Sequence, residues 1–229
     1  MRILLLGVLL FTAQLSAAPL RLLTHDLPPY SFPNEQGEAD GLAVRPVQCA
    51  LEKMGVDFSI QFVPWKRAQS MVQDGVADGF FGASRSAERD AYATLSTTIA
   101  PQEWRWFLLA DNASDPRSEA FRAHSKVSSF IGANMQEWLQ QNGYDAEVVP
   151  ATNQQLLQML LAKRLDAILA NHLVMTELLR ENNAEADVRS VLQLDKPLGV
   201  YFSHRSLKAL PGDFLERFNS AVGECQLRT

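Results

Sequence analysis

Apolar and polar residues follow one another along this chain in segments that switch between the period of a strand and the period of a helix. Residues 20–23 form an apolar run typical of a strand, and residues 42–54 carry apolar side chains at helical spacing. A strand-like alternation over 58–63 precedes a helical pattern over 67–73 and a buried-strand pattern over 78–81. This order predicts a parallel sheet whose strands are joined by crossover helices.

The second half of the chain repeats this alternation. The predicted strands cover 104–110, 127–131, 147–149, 166–170, 188–194 and 197–203. The predicted helices cover 118–124, a segment ending at 141, 153–163, 171–180 and 211–224. Residues 95–102 and 188–194 are predicted to connect two structural units. The chain is therefore expected to be an α/β protein with two lobes.

The first residues are predicted to be a secretory signal that is absent from the mature protein. Arg2 precedes an apolar run, and small residues follow it, with cleavage expected after Ala17. The run is shorter than the roughly 20 residues that span a bilayer. No cysteine lies near the cleavage site, which argues against a lipid anchor. We therefore expect an exported, soluble, periplasmic protein.

Composition narrows the classes of partner. The formal net charge of −5 argues against binding to nucleic acid or to anionic membranes. The four histidines are scattered, so we expect neither a metal site nor a cofactor. Cys49 and Cys225 are the two cysteines, and in an exported protein such a pair predicts a disulfide, two unpaired buried thiols being the alternative.

The stretch from 63 to 89 carries the clearest candidate chemistry. Trp65 follows an apolar run, the small residues 82–84 let backbone N–H groups approach a ligand, and Arg89 follows Ser84 by five positions. A guanidinium presents a rigid fork of donors that matches a carboxylate. The stretch therefore predicts a carboxylate pocket at Trp65, Gly82, Ser84 and Arg89. The alternative is a core tryptophan beside a surface arginine.

Two further segments add candidate ligand-binding residues. The loop that follows the first strand contains Asp26 and Tyr30, and open α/β sheets bind ligands at the carboxyl ends of their strands. Tyr30 has the alternative of filling the core. Arg67 either lines the cleft beside Trp65 or covers its own helix.

Several segments together resemble one known family. They are PPYSF, DGLAVRPVQCALEKMG, VPWKRAQSMVQDGVADGFFGASRSAER, KRLDAILAN and LGVYFSHRSLKALPGDFLERFN. Their order and spacing resemble the periplasmic solute-binding proteins of family 3, the substrate-binding type of polar amino-acid ABC transporters. The resemblance implies a type II periplasmic-binding fold with two hinge crossings, each lobe a mostly parallel sheet flanked by helices. Residues 18–101 and 196–229 would form lobe 1, and 102–195 would form lobe 2.

The resemblance also implies roles for individual residues. Ser84 and Arg89 occupy the positions that hold the ligand carboxylate in relatives, with backbone supplied by Gly82. Asn134 and Asn171 would complete the site from lobe 2. Relatives that bind α-amino acids usually carry an acidic residue where this chain has Asn171, which weakens the inference of an amino acid as the ligand. Both cysteines would fall in lobe 1, where a disulfide is geometrically reasonable.

The function implied by the resemblance is the capture of a small polar or carboxylate-bearing, amino-acid-like solute by hinge closure. The protein would be a monomer that delivers its solute to an ABC permease in the inner membrane. One alternative is an enzyme of the cyclohexadienyl dehydratase type, with Asp26, His25 or His172 as the acid or base. Another is a solute-sensing domain.

Overall fold

The computed structural model describes residues 18–227, so the predicted signal segment lies outside the described residues. The strands are β1 Leu20–Thr24, β2 Phe32–Pro33, β3 Ala39–Asp40, β4 Phe58–Phe62, β5 Gly79–Ala83, β6 Ala93–Leu95, β7 Glu103–Leu109, β8 Val127–Ser128, β9 Ala167–Asn171, β10 Val188–Asp195 and β11 Gly199–Ser203. The helices are α1 Val44–Lys53, α2 Trp65–Gln73, α3 Ala87–Asp90, α4 Glu119–His124, α5 Asn134–Gln141, α6 Asn153–Leu161, α7 His172–Glu181, α8 His204–Ala209 and α9 Phe214–Gln226, with a 3-10 turn at Glu185–Asp187.

Two sheets organise the molecule. The first has the strand order β4-β1-β5-β11-β6, and the second has the order β10-β7-β9-β8. Strand β1 runs parallel to β4 and β5, whereas β11 runs antiparallel to β5 and β6. In the second sheet β8 is parallel to β9, and β7 is antiparallel to β9 and β10. The sheets are mixed rather than mostly parallel, because β7, β10 and β11 belong to the stretches that carry the chain between the sheets and reverse its direction.

The two crossings between the sheets lie side by side. One crossing follows β6 and the other links β10 to β11. Their backbones pair, with Ile99 N donating to Leu198 O at 2.8 Å and Leu198 N donating to Ala100 O at 2.9 Å. Lys196 N donates to Gln102 O at 2.8 Å. The second sheet is thus joined to the first by two adjacent backbone segments that are hydrogen-bonded to each other, an arrangement typical of a hinge.

Helices α1 and α9 pack together on the first sheet. The apolar face of α1, including Val47 and Leu51, and the apolar face of α9, including Phe218 and Val222, are fully buried in one core with β11. Cys49 and Cys225 form a disulfide between these helices, with their Cα atoms 6.2 Å apart. The predicted disulfide is therefore confirmed.

Most predicted elements are present with ends shifted by one to three residues. The predicted strand over 147–149 is wrong, because this segment forms no strand and Val148 is exposed. Instead of pairing with a strand, the backbone of this segment accepts a hydrogen bond from a side chain: Ser128 Oγ donates to Val148 O. Residues 93–95 and 204–209, for which no strand or helix was predicted, form β6 and α8. Within residues 18–227, no helix has the length and apolar character needed to cross a membrane.

Candidate functional site

A small cavity lies between the two sheets, beside the hinge. Its volume is about 30 Å³, room for about two water molecules. The wall from the first sheet comes from the end of β1, from β5 and the loop after it, and from the start of α2. The opposite wall comes from the start of α5 and the end of β9, and the crossings contribute Gln102 and Leu198. The cavity therefore occupies the place where hinge motion would open or close a cleft.

The loop after β5 brings the predicted carboxylate residues into this cavity. Gly82 has a φ of +78°, in the left-handed region, where a residue with a Cβ would be strained. The turn in the backbone there leads to Ser84, which is buried and lines the cavity. Arg89 follows from the short helix α3, and its side chain is only 3% exposed.

Arg89 is a buried cation that the protein holds by neutral groups. Its Nε donates to Gln69 Oε1 at 2.9 Å, Nη1 to Ser84 O at 3.0 Å and Nη2 to Gly132 O at 3.3 Å. Burial lowers the pKa of Arg89 to about 10, so it remains charged at neutral pH. Among the described residues, no carboxylate lies within 4.0 Å of Arg89.

The hydrogen bonds of Arg89 leave room for a ligand. A guanidinium has five N–H donors, and the three bonds to the protein leave one donor on each terminal nitrogen. Two donors on neighbouring nitrogens match the two oxygens of a carboxylate. Arg89 can therefore bind an anion without releasing the contacts that hold it.

An aromatic wall stands beside Arg89. The ring of Trp65 lies 4.4 Å from the ring of His25, measured between centroids, and the centroid of Phe130 lies 6.3 Å from that of His25. The Cζ atom of Arg89 lies 5.1 Å from the centroid of Trp65, within the range of a cation–π contact. Trp65 and Phe130 offer ring faces on either side of His25, against which the nonpolar part of a ligand can pack.

His25 is buried in this wall without a hydrogen-bond partner. Its side chain is 7% exposed, and neither Nδ1 nor Nε2 has a partner among the described residues. Burial, with a smaller contribution from the charge of Arg89, lowers the pKa of the His25 imidazole to about 3. At neutral pH the ring therefore offers one N–H donor and one nitrogen acceptor to the cavity.

Contacts across the cleft hold the two sheets together. The Nδ2 atom of Asn134 lies 3.0 Å from both Ser84 O and Ser84 Oγ, and 3.1 Å from Arg85 O. In the other direction, Trp65 Nε1 donates to Gly132 O at 3.0 Å. These bonds connect the loop before α5 and its first residue to the first sheet.

Asn171 ends β9 and precedes α7. Its Oδ1 accepts a hydrogen bond from Val174 N at 3.2 Å, which caps the helix. Its Nδ2 is buried and has no hydrogen-bond partner among the described residues. The Asn171 side chain interacts with the hydroxyl of Tyr30, and it adds no negative charge to the cavity wall.

The structure separates the predicted site residues into two groups. Those that line the cavity are Trp65, Gly82, Ser84, Arg89, Asn134 and Asn171. Asp26 and Arg67 are exposed and do not line it, because the chain turns His25 inward next to Asp26 and because Arg67 lies on the outer face of α2. Tyr30 is also outside the wall: it is buried in the core, and its hydroxyl donates to Pro101 O at 3.0 Å.

Other lining residues were not predicted as ligand contacts. They include His25, Gln102, Trp104 and Phe130. A sequence signal existed for three of them. His25 directly follows the first strand, at the carboxyl end where ligands bind, and Gln102 and Trp104 flank a predicted crossing. Nothing in the local pattern distinguishes Phe130 from an ordinary core residue.

Comparisons with known proteins agree with this architecture. The model of the bacterial extracellular solute-binding proteins, family 3, matches residues 20–114. The L-cystine-binding protein TcyJ of Escherichia coli (strain K12) is 24% identical over 201 residues, which cover 87% of this chain and 74% of that protein. The resemblance to this family is therefore confirmed.

Solved structures confirm the fold. A histidine kinase sensor domain with similarity to periplasmic binding proteins superposes with a TM-score of 0.79 at 21% identity, covering 92% of this chain and 91% of the other. The holo form of ArgBP from T. maritima superposes with a TM-score of 0.73 at 18% identity, covering 91% and 90%. The α/β, two-lobed type II periplasmic-binding fold predicted from the sequence is thus present.

Proposed function

We propose that this chain, which is similar to the family 3 extracellular solute-binding proteins, binds a small carboxylate-bearing, amino-acid-like solute between its two sheets. The observation that carries the proposal is Arg89. A desolvated cation without a carboxylate partner costs free energy unless an anion completes it. The two unused donors of Arg89 supply the place for that anion, with Ser84 beside them.

Binding would proceed by hinge closure. The cavity of about 30 Å³ is too small for a solute to enter while Asn134 is bonded to Ser84. The paired crossings allow the second sheet to swing away, admit the solute and return. In this proposal the moving lobes are residues 18–101 with 196–229, and residues 102–195. Trp65 and Phe130 would then cover the nonpolar part of the solute.

The biological setting follows from the same proposal. The sequence pattern of residues 1–17 supports export, and the relatives are described as extracellular or binding proteins. The chain would act as a binding protein rather than as an enzyme, in the periplasm, as a monomer that presents its solute to an ABC permease. Copurification of the closed form with a permease encoded nearby would test this setting.

The binding proposal is tested with matched arginine variants. A thermal-shift screen of amino acids and other small carboxylates identifies the tightest-binding compound, and calorimetry then measures its dissociation constant. Arg89→Ala is expected to weaken binding about thirtyfold or more, because truncating a buried hydrogen-bonded charge pair costs about 2–5 kcal/mol. The affinity of Arg89→Lys is expected to lie between that of Arg89→Ala and that of the original protein, since lysine keeps the charge but lacks the planar pair of guanidinium donors.

Arg67→Ala provides the control, because Arg67 is exposed on the helix that begins at Trp65 and does not line the cavity. Its affinity is expected to match that of the unaltered protein. Circular dichroism confirms that each variant is folded. Unchanged affinity in a folded Arg89→Ala variant would reject the proposed site.

A further inference from the structure

The cavity wall has an unbalanced charge. It contains Arg89, and none of the described residues that line it is an aspartate or a glutamate. A solute with both a carboxylate and an ammonium would therefore satisfy Arg89 and leave its own positive charge without a countercharge. Burying an unpaired ammonium costs several kcal/mol. The charge balance of the wall favours a solute that is simply an anion.

Aromatic rings do not supply the missing negative partner. A cation can bind over the face of a tryptophan. However, Arg89 already lies over Trp65, and the Nζ atom of Lys196 lies 5.4 Å from the centroid of Trp104. Both tryptophans of the cavity are thus already occupied by cations of the protein itself. A third cation in the same space would be repelled by those two.

The neutral side-chain acceptors of the wall are few. Gln102 Oε1 accepts from Trp104 Nε1 at 2.9 Å, and Asn171 Oδ1 accepts from the backbone of α7. Ser84 Oγ lies 3.0 Å from the Nδ2 donor of Asn134. The unprotonated nitrogen of His25 and Oδ1 of Asn134 remain without a hydrogen bond to another described residue. Two neutral acceptors do not replace the countercharge that a buried ammonium requires.

Donors, by contrast, remain unused. Arg89 has two, and the neutral ring of His25 has one. His25 is more than nine-tenths buried and lines the cavity. A buried donor without an acceptor costs about 1–3 kcal/mol. A carboxylate held by both free donors of Arg89 has both of its oxygens engaged there, so the donor of His25 favours a ligand that carries a further acceptor oxygen.

We infer that the solute is a small carboxylate that has no ammonium group and that carries a second oxygen acceptor next to the carboxylate, as a 2-oxo acid does. This inference rests on the proposed function, because it assumes that Arg89 holds the carboxylate. Arg89 would bind the carboxylate oxygens, and the donor of His25 would reach the second oxygen.

The inference is tested with pairs of compounds that share a carbon skeleton. Calorimetry compares pyruvate with L-alanine, 4-methyl-2-oxopentanoate with L-leucine, and 2-oxoglutarate with L-glutamate. For the skeleton that binds best, the 2-oxo acid is expected to bind at least tenfold more tightly than the amino acid. Equal or tighter binding of the amino acid would overturn the inference and leave carboxylate binding standing. Binding of no carboxylate in any pair would overturn the proposed function as well.

Two variants test the charge balance and the donor of His25 directly. Asn171→Asp keeps the oxygen that caps α7 and adds a negative charge, so the preference for the 2-oxo acid over the amino acid should shrink at least tenfold. His25→Phe keeps a ring in the aromatic wall and removes the donor. The variant should weaken the binding of the 2-oxo acid about tenfold more than the binding of the same acid without the oxo group. Equal losses for both acids, or an unchanged preference in Asn171→Asp, would contradict the assignment.

Discussion

At the scale of single residues, the site is built from buried polar groups that the protein only partly satisfies. Arg89 has its charge held by carbonyl and amide oxygens, and His25 has no hydrogen-bond partner among the described residues. Both groups reduce the stability of the protein without its solute. Such a cost is typical of functional sites, where a bound ligand forms the hydrogen bonds that the buried groups lack in the empty site.

His25 gives a prediction about pH. Its pKa is about 3 in the folded protein and near 6.5 when unfolded, so the unfolded chain binds one more proton between these values. The free energy of unfolding should therefore be unaffected by His25 above about pH 7. Below that pH it should fall by about 1.4 kcal/mol per pH unit for this one proton. Urea unfolding between pH 6 and pH 4 should show a slope that is smaller by one proton in His25→Phe.

The original protein, measured in parallel at each pH, supplies the reference slope for this experiment. If His25→Phe shows the full original slope, His25 is not the buried neutral group described above.

Sequence reasoning found the part of the site that is local. Ser84 and Arg89 lie five residues apart in one loop and short helix, so their proximity follows from the chain itself. The sequence could not decide whether Trp65 or Arg67 lines the cleft. Residues two apart on a helix point in different directions, but the pattern does not show which face of the helix meets the cleft. The choice between His25 and Asp26 depends on how the chain leaves β1, which neighbouring elements decide.

At the scale of secondary structure, the sequence predicted elements with strong periodicity and missed short ones. Helices α1, α6 and α9 were predicted because their apolar residues recur at helical spacing. Strand β6 and helix α8 have few residues and take their structure from tertiary contacts, such as the pairing of β6 with β11. The segment 147–149 has the composition of a strand but forms none, so composition alone misled.

The disulfide gives a prediction for helices α1 and α9. It closes a loop between residues that are 176 positions apart, and a cross-link of this kind stabilises mainly by restricting the unfolded chain. Replacing both Cys49 and Cys225 by alanine should lower the free energy of unfolding by about 2–5 kcal/mol, measured by chemical denaturation. Solute affinity should remain unchanged, since neither residue lines the cavity.

A reducing agent separates the bond from the side chains. It should lower the denaturation midpoint of the original protein toward that of the double variant, and leave the variant itself unaffected. Identical midpoints for the two proteins under oxidising conditions would show that the cross-link contributes nothing.

At the scale of the whole molecule, closure depends on contacts that join the sheets at the cleft. Asn134 bonds the loop after β5 from the first residue of α5. Asn134→Ala should weaken the binding of the carboxylate that ranks first in the thermal screen about tenfold, because one or two hydrogen bonds between the sheets are lost. Calorimetry measures this loss, and small-angle scattering should show a smaller contraction on binding.

Asn142→Ala is the matched control, since Asn142 follows the same helix and its side chain bonds only to Trp138 O within the described residues. Affinity and contraction should be those of the original protein. Equal effects of the two variants would mean that Asn134 acts through the stability of α5 and not through closure.

The strand order of the first sheet has a consequence for how the chain acquires its structure. Strand β11 lies between β5 and β6, although more than a hundred residues separate β6 from β11. In the proposed export of the chain, N-terminus first, β6 has no strand beside it and β5 keeps an open edge until residues 199–203 arrive. All strands of the second sheet precede them, between 103 and 195. The part of the molecule that starts first therefore finishes last, and its disulfide closes only when the final helix arrives.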